Sequence, residues 1–224
     1  MGMNLMAEKM RATAEELQAG AEELVSDYGK VKERLFIKIC NRERNMEQLS
    51  GVPHKDFLEF AVTCHIEMGE YVGGTATITV NDSLLKAFGI GEDQLFEDAI
   101  ANSPSIRPAL IKDIDSLMAM LTGMDAPGMY CPIKAVTVEG LINGAAAILY
   151  PGVLERLAEQ AGCPLLLIPS SVHEFLCLPE KDGFAKDDME AMIRDVNEME
   201  VRPDEVLSGH LYRYDPADGK LTAA

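Results

Sequence analysis

A chain of 224 residues, 47% apolar and 25% charged, is long enough to bury one large core or two small ones, and that composition excludes disorder throughout. A formal net charge of -17 repels phosphate backbones, so a direct nucleic-acid binder is not expected and a charged partner would be basic. The strongest apolar run, from Gly144, is interrupted by Pro151 short of the roughly 18 to 20 residues a spanning helix needs, so no membrane segment is expected.

The N-terminus lacks a basic start followed by an apolar h-region, and Met6 stands where a myristoylation signal needs serine or threonine, so neither export nor a lipid anchor is expected. From Met10 to Leu35, apolar or small residues recur in alternating steps of four and three: Met10, Ala14, Leu17, Ala21, Leu24, Tyr28, Val31 and Leu35. That spacing is a heptad seam and predicts a helical extension over residues 1–31. Gly20 and Gly29 each cost about 1 kcal/mol in a helix interior, so the seam is expected to pack on the domain. The alternative is a homo-oligomer joined through Met10, Leu17, Leu24 and Val31.

Residues 32–215 read as a single α+β domain with a sub-boundary near 123–128, and 216–224 as a short tail. Helical character is expected to continue through VKERLFIKICNRERNMEQLSG, ending at Gly51 before Pro53. Phe60, Val62, Cys64, Ile66 and Met68 then alternate with Ala61, Thr63, His65 and Glu67, the period of a strand, and TATITV from Thr75 repeats it, so the two form an antiparallel hairpin. Asn81 or Asp82 caps a helix ending at Gly89, a second helix runs from Glu92 to Asn102, Pro104 and Pro108 interrupt, and a third helix is expected from Leu110 to Leu121.

In the second half, Ala145 to Tyr150 reads as a strand, Pro151 to Ala161 as a helix, and Leu165 to Ile168 as a strand. Val172 to Leu178 follows as a strand, Asp187 to Met199 as a helix, and His210 to Tyr214 as a strand closed by the turn DPADG. The order β-α-β-β-α-β is that of a split-βαβ layer.

Several stretches together carry a resemblance: VPHKDFLEFAV from Val52, GTATITVNDSLLKAFGI from Gly74, EDQLFEDAIANSP from Glu92, GAAAILYPGVLERLAE from Gly144, IPSSVHEFLCLP from Ile168 and EVLSGHLYRYD from Glu205. Across Lys32 to Asp215 the chain resembles an uncharacterised domain-of-unknown-function family of gut Clostridia, most specifically at the Pro-Ser-Ser-x-His-Glu segment and the late Leu-Ser-x-x-x-Tyr strand. The resemblance implies the α+β fold and no activity. It also implies a further N-terminal region in longer members, and a strand after the mid-chain loop that Pro132 would disturb.

Chemistry is best sought at PSSVHE. Ser171 and His173, two apart in extended chain, share one side, with Ser170 and Glu174 on the other. A hydrolase or metal-assisted enzyme would use Ser171, His173 and Glu174, yet neighbours on one strand stand side by side whereas a nucleophile and its base must meet head to head. There is no GxSxG elbow, phosphate-cradling glycine loop, EF-hand spacing or zinc-ligand pattern, so neither metal nor cofactor is expected. His54 reads as a capping donor, and His65 with Glu67 as the polar face of a strand. The five cysteines are widely spaced and odd in number, which fits a reducing cytoplasm. Met189, Met192, Ile193 and Val196 form a stripe read as core. The leading expectation is a non-catalytic, acidic cytoplasmic interaction or regulatory protein that binds a basic protein partner.

Overall fold

The computed structural model describes residues 24–71, 74–123, 132–180 and 185–224. Among them two antiparallel sheets and seven α-helices form the α+β architecture that the sequence indicates.

The first sheet holds β1 (Leu35–Asn41), β2 (His54–Phe57), β3 (Phe60–Tyr71) and β4 (Gly74–Thr79). Twelve-residue β3 is its centre, pairing with β1 along one edge and with β2 and then β4 along the other. The β3–β4 hairpin lies where alternation placed it, with a bulge between Glu67 and Gly69 that Gly69 accommodates at φ 118°.

The helical reading of residues 35–51 is corrected. Helix α1 (Tyr28–Lys32), capped by the Asp27 carboxylate accepting from the Gly29 N–H, stops at Lys32, and the chain turns into β1. Only α2 (Met46–Leu49) is helical in the remainder. Ile37 and Ile39 face the core between the more exposed Lys38 and Cys40, a period of two that wins over the heptad once β3 is there to pair with. Val31 and Leu35, the last members of the seam, are fully buried in this chain's own core, with Leu24 and Tyr28 packed against it. The rest of the seam, with Met10 and Leu17, lies outside the described residues.

Helix α3 (Asp82–Phe88) begins where the Asn81 side chain accepts the Leu84 N–H and ends at Gly89, φ 68°. Helix α4 (Glu92–Ile106) covers β1 with Leu95, Phe96 and Ala99. It runs through Pro104, because a proline in the last turn forfeits only one intrahelical bond. Ser103 Oγ accepts the Ile37 N–H at 2.9 Å, satisfying a donor that no neighbouring strand takes.

The second sheet has the order β10-β9-β7-β8-β6-β5, antiparallel throughout, from β5 (Ala109–Asp113), β6 (Lys134–Val138), β7 (Leu165–Ser171), β8 (Glu174–Pro179), β9 (Tyr212–Asp215) and β10 (Lys220–Ala223). Three expectations change here. Residues 109–113 are a strand, so the third helix is only α5 (Ile114–Thr122). Ala145–Leu149 is a buried 3-10 turn and not a strand; the strand that opens the layer is β6, so the expected order of strand, helix, strand, strand, helix, strand runs β6, α6 (Val153–Ala161), β7, β8, α7 (Lys186–Met199) and β9, with β8 between β6 and β7. The tail supplies β10, folded back on β9 through the predicted turn. Pro132 leaves β6 intact because the strand opens at Lys134 and pairs on both edges. Most of the loop at 123–128 lies outside the described residues.

One hydrophobic cluster takes Ile37, Phe60 and Cys64 from the first sheet and Val136, Phe175 and Tyr212 from the second. Phe60 meets Phe175 edge-on at 6.0 Å and Tyr212 at 5.4 Å.

Candidate functional site

Ser171 ends β7, Glu174 opens β8, and Val172 and His173 form the turn between them. Ser171 Oγ accepts the His173 N–H at 3.0 Å and donates to Glu174 Oε1 at 3.3 Å. The imidazole points elsewhere. Its Nδ1 accepts the Asn143 N–H at 2.9 Å, and its Nε2 lies 3.4 Å from Glu205 Oε1. An acceptor Nδ1 puts the proton of the neutral ring on Nε2, facing the carboxylate, which leaves no lone pair free to take a proton from a serine. The structure therefore brings Ser171 to Glu174 and His173 to Glu205, and it does not bring Ser171 to His173.

The turn is held from every side. His173 O accepts the Gly144 N–H at 3.0 Å and the Thr137 hydroxyl at 2.8 Å, while the Val172 N–H donates to Glu205 O at 2.9 Å. Gly144 is required by space, since a Cβ there would sit 2.5 Å from Val138 N and 2.8 Å from His173 O.

His54 Nδ1 lies 2.8 Å from Val52 O, a local contact beyond the C-cap Ser50 of α2. His210 Nδ1 stands 3.6 Å from Glu190 Oε1. His65 is buried on the polar face of β3, with Thr63 Oγ1 2.9 Å from Nε2 and Thr79 Oγ1 3.3 Å from Nδ1. Burial, with Lys38 and Arg107 adding repulsion, pushes its imidazole down to about 3. Among the described residues, no three His, Cys, Asp or Glu are grouped to hold a metal ion.

His65 and His173 line the same cleft, of about 450 Å³, between the polar face of the first sheet and the β7–β8 turn. Lys38 stands on its wall and also borders a second cleft of about 500 Å³ with Thr77 and Arg107. Its Nζ donates to Thr77 Oγ1 at 3.1 Å and lies 5.5 Å from the Phe36 ring centre, above which the Arg107 guanidinium sits at 4.5 Å. Burial, then repulsion from Arg107, lowers the Lys38 amine to about 8. The sequence reading passed over both cations. For Lys38 a signal existed, a lone charge in the apolar run LFIKIC; Arg107 reaches the site only through the fold.

The Leu-Ser-x-x-x-Tyr segment, of which only Tyr212 lies in β9, has a partner 149 residues from Ser208. Ser208 Oγ and Tyr212 OH both donate to Glu59 Oε1, and Asn41 Nδ2 donates to Glu59 Oε2 at 3.4 Å. The cluster ties the β2–β3 turn to β9 at the wall of a groove of about 620 Å³. With three donors converging, the carboxylate is satisfied by the fold itself.

Helix α7 divides its expected stripe in two. Met189 and Ile193 are buried against Leu166, Ile168, Leu178 and Leu211. Met192 is 52%, Val196 41% and Met199 71% exposed, on an outer face shared with Asp188 and Asp195. No described helix is long and apolar enough to cross a membrane.

A family model described as "Family of unknown function (DUF5688)" matches residues 2–216, reaching further toward the N-terminus than the resemblance from Lys32. No curated protein and no solved structure matches the chain.

Proposed function

We propose, from the premise that this chain belongs to the DUF5688 family of unknown function, that it acts by binding a basic amphipathic segment of another protein on the outer face of α7. The observation that carries this reading is the row of Met192, Val196 and Met199, exposed in water between aspartates. Methionine suits such a face because its unbranched side chain adapts to different partner shapes. Helix α7 holds five carboxylates against two cations, so the complementary segment carries lysine or arginine around an apolar stripe.

Fully burying an apolar side chain is worth roughly 1.5–3 kcal/mol, so three of them supply roughly 4.5–9 kcal/mol, most of which the cost of association offsets, and the binding is weak and transient. Exposed ion pairs at the rim add roughly 0–1 kcal/mol each and mainly speed encounter. A reducing compartment fits this reading. The described cysteines Cys40, Cys64, Cys163 and Cys177 are free, and burial alone pushes the Cys177 thiol up to about 12, too high for thiolate chemistry.

The test is fluorescence anisotropy with a labelled lysine- and leucine-rich helical peptide and an isohydrophobic acidic peptide. The basic peptide alone should bind, more weakly as salt rises. Met192→Asp with Val196→Asp should abolish binding, while Asp188→Asn with Asp195→Asn should flatten the salt dependence. Equal binding of both peptides, or binding indifferent to all four substitutions, overturns the proposal.

A further inference from the structure

In the cleft around Lys38 two cations are gathered over one aromatic ring. Lys38 and Arg107 lean on the same Phe36 ring, and Phe36 is fully buried, so both stems are fixed. Among the described residues, no carboxylate forms an ion pair with Lys38; its one hydrogen-bond partner among them is the Thr77 hydroxyl oxygen, which keeps its own proton to donate. Arg107 donates from Nη1 to Ile142 O at 3.3 Å and forms an ion pair with Glu67, its Nε 3.6 Å from Oε2 but without a hydrogen bond. Glu67 offsets the Arg107 charge in part, while the two cations still repel each other over the shared ring.

We infer that Lys38, Arg107 and the Thr77 hydroxyl form a binding site for a single oxyanion, the carboxylate or phosphate group of a small organic ligand. The site lies between β1, β4 and the end of α4, in the cleft of about 500 Å³. An oxyanion there relieves the repulsion between the two cations and accepts charge-assisted hydrogen bonds from them and the hydroxyl. Ile106 and Ile142 supply apolar wall for the ligand's body.

The other charged groups bordering the cleft set its selectivity. Glu67 and Glu139 line the same space, so a polyanion such as nucleic acid is repelled while one compact oxyanion is accepted between the cations. His65 on β3 is neutral at physiological pH and contributes no charge. Charge in the site therefore depends on Lys38, whose amine titrates at about 8, and binding must take up protons near that pH and weaken above it.

The experiment is isothermal titration of the full chain with phenyl phosphate, inorganic phosphate and benzoate at constant ionic strength, in two buffers of different ionisation heat. Saturable binding with proton uptake near pH 8 is expected, phenyl phosphate or benzoate binding more tightly according to which oxyanion the site fits. Lys38→Met should weaken it about tenfold or more, the loss of one charge-assisted contact, while Lys38→Arg restores it and Lys86→Met, on exposed α3, leaves it unchanged. If Lys38→Met fails to fold by circular dichroism, Thr77→Val, which removes only the hydroxyl, takes its place. No saturable heat with any probe, or undiminished binding in Lys38→Met or its replacement, overturns the inference.

Discussion

The backbone N–H of Asn143 donates to Nδ1 of His173 at 2.9 Å, joining the loop after β6 to the β7–β8 turn across 30 residues of chain. That bond needs a lone pair on Nδ1, so the imidazole acts there as a strut. His173→Ala leaves the amide without its acceptor and should cost about 1–2 kcal/mol in urea denaturation. His173→Asn, whose side-chain oxygen can reach toward the same amide, should recover part of the loss. In nitrogen-15 spectra of the folded protein, Nδ1 should show the shift of an unprotonated ring nitrogen. An alanine variant as stable as the parent, or a protonated Nδ1 at neutral pH, contradicts the role.

Glu59 and Tyr212 give a second test. Burial and the neighbouring Glu59 carboxylate hold the Tyr212 phenol well above its ordinary value of 10.0. A raised phenol favours the folded state while it stays protonated, so this contribution is complete below pH 10 and is lost as pH climbs through and beyond it. Tyr212→Phe should cost about 1 kcal/mol. Glu59→Leu leaves the two hydroxyls without their shared acceptor and should cost roughly 2–4 kcal/mol. A double-mutant cycle should return a coupling above about 0.5 kcal/mol; additive losses would mean the contact does not operate in solution.

The legible parts of the fold were those in which one local pattern had no rival. The β3–β4 hairpin alternates over many residues, and α3 carries a capping Asn81 and a terminal Gly89, so neither depended on knowing the tertiary structure. Residues 35–41 failed because Val31 and Leu35 satisfy a heptad at the point where a strand begins, and only pairing with β3 decides between the periods. Five-residue β5 was hidden for the same reason, as Leu110 and Ile111 extend the stripe of α5 backward. Ala145–Leu149 is apolar on every side and has no period to read. Ser171, His173 and Glu174 were legible as neighbours, but Asn143, Thr137 and Glu205, which decide what His173 does, arrive from distant segments. The Lys38–Arg107 pair is likewise a product of α4 crossing β1.

Acid stability should report on His65. Its imidazole titrates at about 3 in the folded protein against an ordinary 6.5, because burial first, then Lys38 and Arg107, disfavour the charged ring. The unfolded chain binds this proton more readily, so stability is intact above pH 6.5 and falls as pH drops from there toward 3. The slope from one such group is at most about 1.4 kcal/mol per pH unit. His65→Gln keeps groups able to bond Thr63 and Thr79 but does not titrate. It should lower stability at neutral pH, where the tilted ring packing on Phe36 at 5.7 Å is lost, yet flatten the decline on acidification. Carboxylates lowered by their partners, such as Asp113 beside Lys134 and Asp215 beside Arg213, work in the same direction in both proteins, so the difference in slope isolates the imidazole. Parallel slopes in urea titrations across that range would show that His65 is not held neutral by its burial and the cations beside it.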